Sequence, residues 1–181
     1  MVLIILYGPP AVGKLTIAEG LASKTGYKIF QNNPTVQAVS PLFEFGTPEF
    51  IRTLDRIRLA MLEEAARSNM SGVIFTMCYD PNEDEKTLSQ MITLVESSGG
   101  LVHLVQLTCP EAVLFERIGN ESRKPHDKII TQEKLRMFLD AYELFMPYKL
   151  RNSLTIDTSI FSVVQSVETI LSALGLMQNN S

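Results

Sequence analysis

From position 8 the chain reads Gly8-Pro9-Pro10-Ala11-Val12-Gly13-Lys14-Leu15-Thr16, a GxxxxGK spacing that directly follows a run of aliphatic residues. A loop of this spacing turns its backbone N–H groups inward around phosphate oxygens, and the helix it opens presents the positive end of its dipole to the same anion. Gly13 permits close approach of the backbone, and Lys14 adds a mobile point charge for the β- and γ-phosphates. Gly8, Pro10, Ala11, Val12, Gly13, Lys14, Leu15 and Thr16 are therefore the expected nucleotide-binding residues, with ATP and Mg2+ as the expected ligands. The position after the lysine often carries a hydroxyl for magnesium. Here it is Leu15, and the hydroxyl comes one residue later at Thr16. Magnesium is thus expected to rest mainly on phosphates and water, with Thr16 reaching it through water.

Phosphoryl transfer spreads charge over the moving group, and arginine neutralises such charge with a rigid fork of donors. Arg117, Arg123, Lys124 and Lys128 stand against Glu121 and Asp127, a local basic excess in a chain whose net charge is −4. Gly119 and Pro125 break the helical pattern around them, so residues 117–130 read as a small lid. Lys14, Arg117 and Arg123 are the expected catalytic residues. His126 reads as a solvated side chain and His103 as a packed strand residue. No His, Cys, Asp or Glu set has metal-ligand spacing.

These groups need a scaffold, and the chain has the means to build one. Its 181 residues, 45% hydrophobic and 20% charged, suit one compact domain over residues 1–181 and exclude a disordered or fibrous protein. A pI near 5.2 gives no general footprint for nucleic acid or an anionic membrane, so the expected partner is a small molecule met by a monomer or homodimer. Cys78 and Cys109, without a second pair, suit reduced buried thiols and a cytoplasmic setting. The apolar run from Met1 to Tyr7 lacks a basic flank and is too short for a signal sequence or a membrane span, so it reads as a strand buried on both faces.

Similar bursts at Tyr27–Phe30, Gly72–Thr76, Leu101–Leu107 and Ser153–Asp157 alternate with helical periodicity. Helix signals include Lys14 to Lys24 stopping at Gly26, Thr47-Pro48 opening a helix to about Asn69, and a capping box at Asp80-Pro81-Asn82-Glu83. Thr131 and Ser159 read as further N-caps, and residues 33–46 and 120–130 as mobile pieces. The alternation specifies an α/β fold, three layers around a five-stranded parallel sheet with right-handed crossovers.

The GKxT ending resembles the G-x-P-x-x-G-K-G-T loop of adenylate kinase and the wider nucleoside monophosphate kinase and shikimate kinase group, with Gly8, Pro10, Gly13, Lys14 and Thr16 matching. Ala11 and Leu15 stand where adenylate kinases usually have Gly. The resemblance implies a P-loop nucleotide kinase-like fold in which Lys14 grips the transferable phosphate and Thr16 the α-phosphate. Cys109-Pro110 to Arg117 followed by Ser122-Arg123 resembles the helix and lid that carry this group's arginines, and Thr155-Ile156-Asp157-Thr158 the turn that covers adenine. Leu42-Phe-Glu-Phe-Gly46, Ile57-Arg-Leu59, Phe75-Thr76 and Ser122-Arg-x-x-His-x-Lys128 look like a group of kinase-like ATP-binding proteins of the AAA-domain type, which often has His where Asn33 stands.

In that group the acceptor lies beyond the second strand and on the helix before the third, here residues 31–69. Gln31-Asn32-Asn33-Pro34 offers no carboxylate where alcohol kinases commonly place an Asp, which favours an acceptor that is already anionic or nucleotide-like. Asn33, Arg52, Arg56, Arg58 and Asp80 are the expected acceptor-binding residues, Arg58 lying nearest the buried stripe of its helix. The expected function is an ATP-dependent kinase of a small acceptor. The alternatives are an ATP-binding regulatory or sensor domain, and a kinase of hydroxyl compounds of the sugar or antibiotic type.

Overall fold

A computed structural model describes residues 1–119 and 131–176. Its elements in chain order are β1 (Val2–Tyr7), α1 (Lys14–Thr25), β2 (Lys28–Gln31), α2 (Asn32–Val39), α3 (Pro48–Arg67), β3 (Gly72–Met77), α4 (Glu85–Ser97), β4 (Leu101–Thr108), α5 (Glu111–Arg117), α6 (Gln132–Ala141), β5 (Leu154–Asp157) and α7 (Val163–Ala173). All strand pairings are parallel, in the order β2-β3-β1-β4-β5.

The aliphatic run of β1 is explained by its central place. Ile4 and Leu6 pack with Ile17, Leu21, Leu114 and Ile170 on one face, while Leu3, Ile5 and Tyr7 pack with Leu62, Leu88 and Met91 on the other. Alternation along a strand sends successive side chains to opposite faces, so a strand with a helical layer on each side must be apolar at every position. This is the three-layer α/β arrangement of a P-loop kinase-like fold.

The crossovers create the cleft. β1 leads into α1 on one face of the sheet, and β3 leads into α4 on the other. Connections that leave neighbouring strands in opposite directions open a crevice beyond the strands' carboxyl ends. The register Tyr7↔Met77 sets the loop after β1 beside Cys78, and Gln31↔Thr76 brings the start of α2 to the same place.

Several local expectations change in the fold. Residues 33–46 are not a loop throughout, because α2 occupies their first half. Asp80 does not open α4 through a capping box: the helix begins at Glu85, and Asp80 instead closes a turn in which its Oδ1 accepts from Asn82 N–H and its carbonyl from Asp84 N–H. The N-cap of α7 is Ser162, in a capping box with Gln165, whereas Ser159 donates to Asp157. Thr47 and Thr131 cap α3 and α6 as expected. Cys109 is buried, but Cys78 is only half-buried, at the cleft.

Candidate active site

The phosphate loop is built by backbone strain and close approach. Gly8 has φ +144°, and a Cβ there would stand 2.2 Å from the Leu107 carbonyl oxygen, so only glycine lets the loop leave β1 so near β4. Ala11 adopts a left-handed φ of +65° that non-glycine residues rarely occupy. Val12 is fully buried in the core and anchors the loop from beneath. Lys14 opens α1, and its Nζ donates to the carbonyls of Gly8 at 2.6 Å and Pro9 at 2.7 Å, with Cys78 Sγ at 3.4 Å. Its ammonium therefore lies folded over the loop that it is expected to serve.

Pro10, Ala11, Gly13, Lys14, Leu15 and Thr16 line a cavity of about 860 Å³. Gly8 and Val12 stand behind that lining and shape it. Arg117 also faces the cavity, where its guanidinium donates to Thr158 Oγ1 at 2.9 Å and to the Thr158 carbonyl at 2.8 Å. The pairing Thr108↔Asp157 brings these residues together by setting the end of β5 beside the start of α5. Arg117 thus braces the turn after β5. Arg123 and the rest of the expected lid from residue 120 onward, His126 included, lie outside the described residues.

At the other end the structure separates the expected acceptor residues. Asn33, Arg58 and Asp80 line the cavity, whereas Arg52 and Arg56 are exposed on other faces of α3 and do not reach it, Arg52 pairing with Glu49 at 2.6 Å. Helical spacing is the reason: Ile51, Leu54, Asp55 and Arg58 form the stripe of α3 that faces the cleft. Arg58 is only 4% exposed. Its Nε donates to Asn32 Oδ1 at 2.9 Å, and its Nη1 to Asp55 Oδ1 at 3.0 Å, with Asp84 Oδ1 at 3.7 Å. Thr87 Oγ1 donates to the other Asp55 oxygen at 2.7 Å.

Three residues of this cluster escaped sequence reasoning. Asn32, Asp55 and Asp84 are not among the expected site residues, and the signal that could have found one of them is the i, i+3 spacing of Asp55 and Arg58 on one helix. Burial pushes the Asp84 carboxyl up to about 6, against the opposing pull of the Asp80 N–H and of Arg58. Burial likewise lowers the affinity of Arg58 for its proton, against the charges of Asp84 and Asp55. Both shifts say that withdrawal from water outweighs the pairing, as buried ion clusters commonly show. Asp80 is 4% exposed and lines the cavity; its Oδ2 has no hydrogen-bond partner among the described residues.

The site therefore joins the GxxxxGK loop to a partly buried carboxylate cluster within one cavity. Among the described residues no group of three His, Cys, Asp or Glu is arranged to hold a metal ion, and no helix is long and apolar enough to cross a membrane.

Residues 3–145 match the family described as AAA domain. No curated protein matches the chain. Among solved structures, a putative kinase from Chloroflexus aurantiacus is 17% identical at TM-score 0.67, covering 94% of this chain and 97% of its own. Shikimate kinase from Acinetobacter baumannii, in complex with shikimate, is 17% identical at TM-score 0.58 over 98% of this chain and 95% of its own. A gluconokinase from Sinorhizobium meliloti is 19% identical at TM-score 0.57 over 98% and 93%. At such identities these are likenesses of fold.

Proposed function

The chain belongs to the AAA-domain family, and from that premise we propose that it is an ATP-dependent kinase of a small hydroxylated acceptor. The observation that supports this reading is that one cavity is lined both by the loop at residues 10–16 and by Asp80, whose Oδ2, without a hydrogen-bond partner among the described residues, would take a hydroxyl proton. The expectation of an anionic acceptor rested on the missing carboxylate after β2. The fold supplies carboxylates from α3 and the β3–α4 turn instead, so that ground falls away.

Backbone N–H groups of residues 10–16 and the N-terminus of α1 would hold the β- and γ-phosphates. Lys14 would exchange the Gly8 and Pro9 carbonyls for phosphate oxygens. Asp80 would accept the acceptor's proton as its oxygen attacks the γ-phosphorus, and the bond from phosphorus to the β–γ bridging oxygen would break, ADP leaving with that electron pair. Arg58, which binds Asn32 and Asp55 and faces Asp84, would hold these groups around the acceptor. Arg117 would fix the turn that covers the base, and Arg123 would add charge at the transferring group. The donor set fits magnesium carried by the nucleotide: Leu15 offers no oxygen, and the exposed Thr16 hydroxyl lines the cavity within reach through water. When bound, magnesium would neutralise phosphate charge.

The test is transfer of label from γ-labelled ATP to a panel of sugars, amino alcohols, carboxylic acids and mononucleotides. We expect the label on a hydroxyl compound, and loss of transfer in Asp80→Asn by a factor on the order of 10²–10⁴ with ATP-analogue binding kept. ATP binding with no transfer to any compound would favour the sensor alternative. Label on a mononucleotide phosphate would return the acceptor to the anionic class.

A further inference from the structure

α6 and the residue after it present two aromatic rings to the cavity that the carboxylates of the β3–α4 turn also line. Phe138 and Tyr142 lie with ring centroids 4.7 Å apart, and both line the cavity. Glu83, Asp80 and Asp84 line the same cavity as Tyr142, and burial first and then their charges raise the affinity of its phenol for the proton. Glu83 is exposed and lines the cavity, while Asp80 is 4% exposed with one oxygen unpartnered among the described residues.

Among the described residues, two of the three cations of the cavity wall are placed elsewhere. Lys14 belongs to the phosphate loop and Arg117 is held by Thr158. Arg58, the one described cation at this end, is 4% exposed and is engaged by Asn32, Asp55 and Asp84. An anionic acceptor would meet three carboxylates here. A neutral polyol would leave their charge unbalanced. A metal ion would need the carboxylates to converge, and among the described residues no such group forms. An ammonium group satisfies both halves of the wall, since it is drawn to the faces of aromatic rings and to carboxylates alike.

We infer that the acceptor is a small hydroxylated amine, whose positive charge is held between the Phe138–Tyr142 ring pair and the carboxylates of Glu83, Asp80 and Asp84. This rests on the kinase reading and names the acceptor class of the same cleft. The amine settles the charge of the cluster, and the neighbouring hydroxyl is the group presented to Asp80 and the γ-phosphate.

Binding is measured by calorimetry on the full chain loaded with Mg2+ and a non-hydrolysable ATP analogue, using shape-matched pairs: serinol against glycerol, choline against its neutral isostere dimethylbutanol, and kanamycin against maltotriose. The same compounds are then given with ATP, and ADP is measured. In at least one pair the cation should bind about tenfold or more tightly than its neutral match, and the advantage should shrink with added salt. Glu83→Gln, at an exposed position that folding does not need, and Tyr142→Leu should each remove most of that advantage while analogue binding is unchanged; Tyr142→Phe, which keeps the ring, should retain it. Equal binding within every pair, no binding by any amine, or preference for the anion glycerate over glycerol would overturn the inference. Preferential binding of an amine without ADP formation would uphold the acceptor class and overturn the kinase reading. Phosphorylation of a neutral polyol with amines ignored would do the reverse.

Discussion

The phosphate end of the cleft is made by consecutive residues 8–16, whereas the acceptor end is assembled from α2, α3, the β3–α4 turn and α6. At the first, a continuous loop lines the cavity and its long side chain, Lys14, rests on its own loop's carbonyls. At the second, partly buried charges hold one another in place around the buried Arg58, which binds Asn32 and Asp55 and faces Asp84. The difference teaches that the two ends should fail differently. Loss of the lysine at the phosphate end should cost turnover and spare the fold, while loss of the arginine at the centre of the acceptor end should cost the fold as well.

The strongest test of that contrast is Arg58→Ala. Removing the buried member of this partly buried ion cluster leaves two carboxylates unpaired, so unfolding by urea should show a loss of about 3 kcal/mol, the lower end for a fully buried pair. A variant as stable as the parent would mean that the acceptor end is not held by this cluster. Lys14→Ala is the counterpart. Turnover should fall by a factor on the order of 10²–10³, with the urea midpoint nearly unchanged, because the lysine donates to the carbonyls of its own loop and to half-buried Cys78 and is not part of the apolar core. Marked destabilisation by this change would erase the distinction between the ends.

Asp84→Asn sharpens the comparison through pH. With its carboxyl raised from 3.8 to about 6, the folded state holds this proton more tightly than the unfolded chain does. Its contribution to stability is therefore full below about pH 4 and is lost as pH rises to about 6, a change of roughly 3 kcal/mol at most. The variant should match the parent near pH 4 and exceed its stability by about 1 kcal/mol or more at pH 7. A stability gap that instead opened toward acid would show that pairing with Arg58 dominates. The smallest effect is expected at Ala11→Gly. Relief of the left-handed φ of +65° is offset by the greater freedom of glycine in the unfolded chain, leaving a gain of about 1 kcal/mol or less with activity kept.

The same contrast explains what could be read from the sequence. The five strands, the parallel sheet and the phosphate loop were legible because each is written in consecutive residues: the aliphatic runs of β1 and β3, and the GxxxxGK spacing between Gly8 and Lys14. Arg58 stood out from Arg52 and Arg56 only through its position on the apolar stripe. Asn32, Asp55 and Asp84 acquire their meaning from the pairing Gln31↔Thr76 and from α3 packing beside the β3–α4 turn, contacts between segments far apart in the chain. The capping signals misled where two hydroxyls competed, Ser162 with its reciprocal Gln165 winning over Ser159 because its box satisfies two backbone groups at once.

The absence of a side chain at Gly8 joins the loop to the middle of the sheet. With the Leu107 carbonyl standing where a Cβ would be, the first residue of the loop cannot swing away from β1 without passing β4, and β1 is paired along its whole length to β3 on one side and β4 on the other. The loop and the central strands should then form one cooperative unit in native-state hydrogen exchange. Amides at 8–13 that are shielded by the fold should open with the free energy of the β1 amides rather than that of surface turns such as 98–100. Faster, independent opening of the loop would show that this contact does not couple it to the sheet.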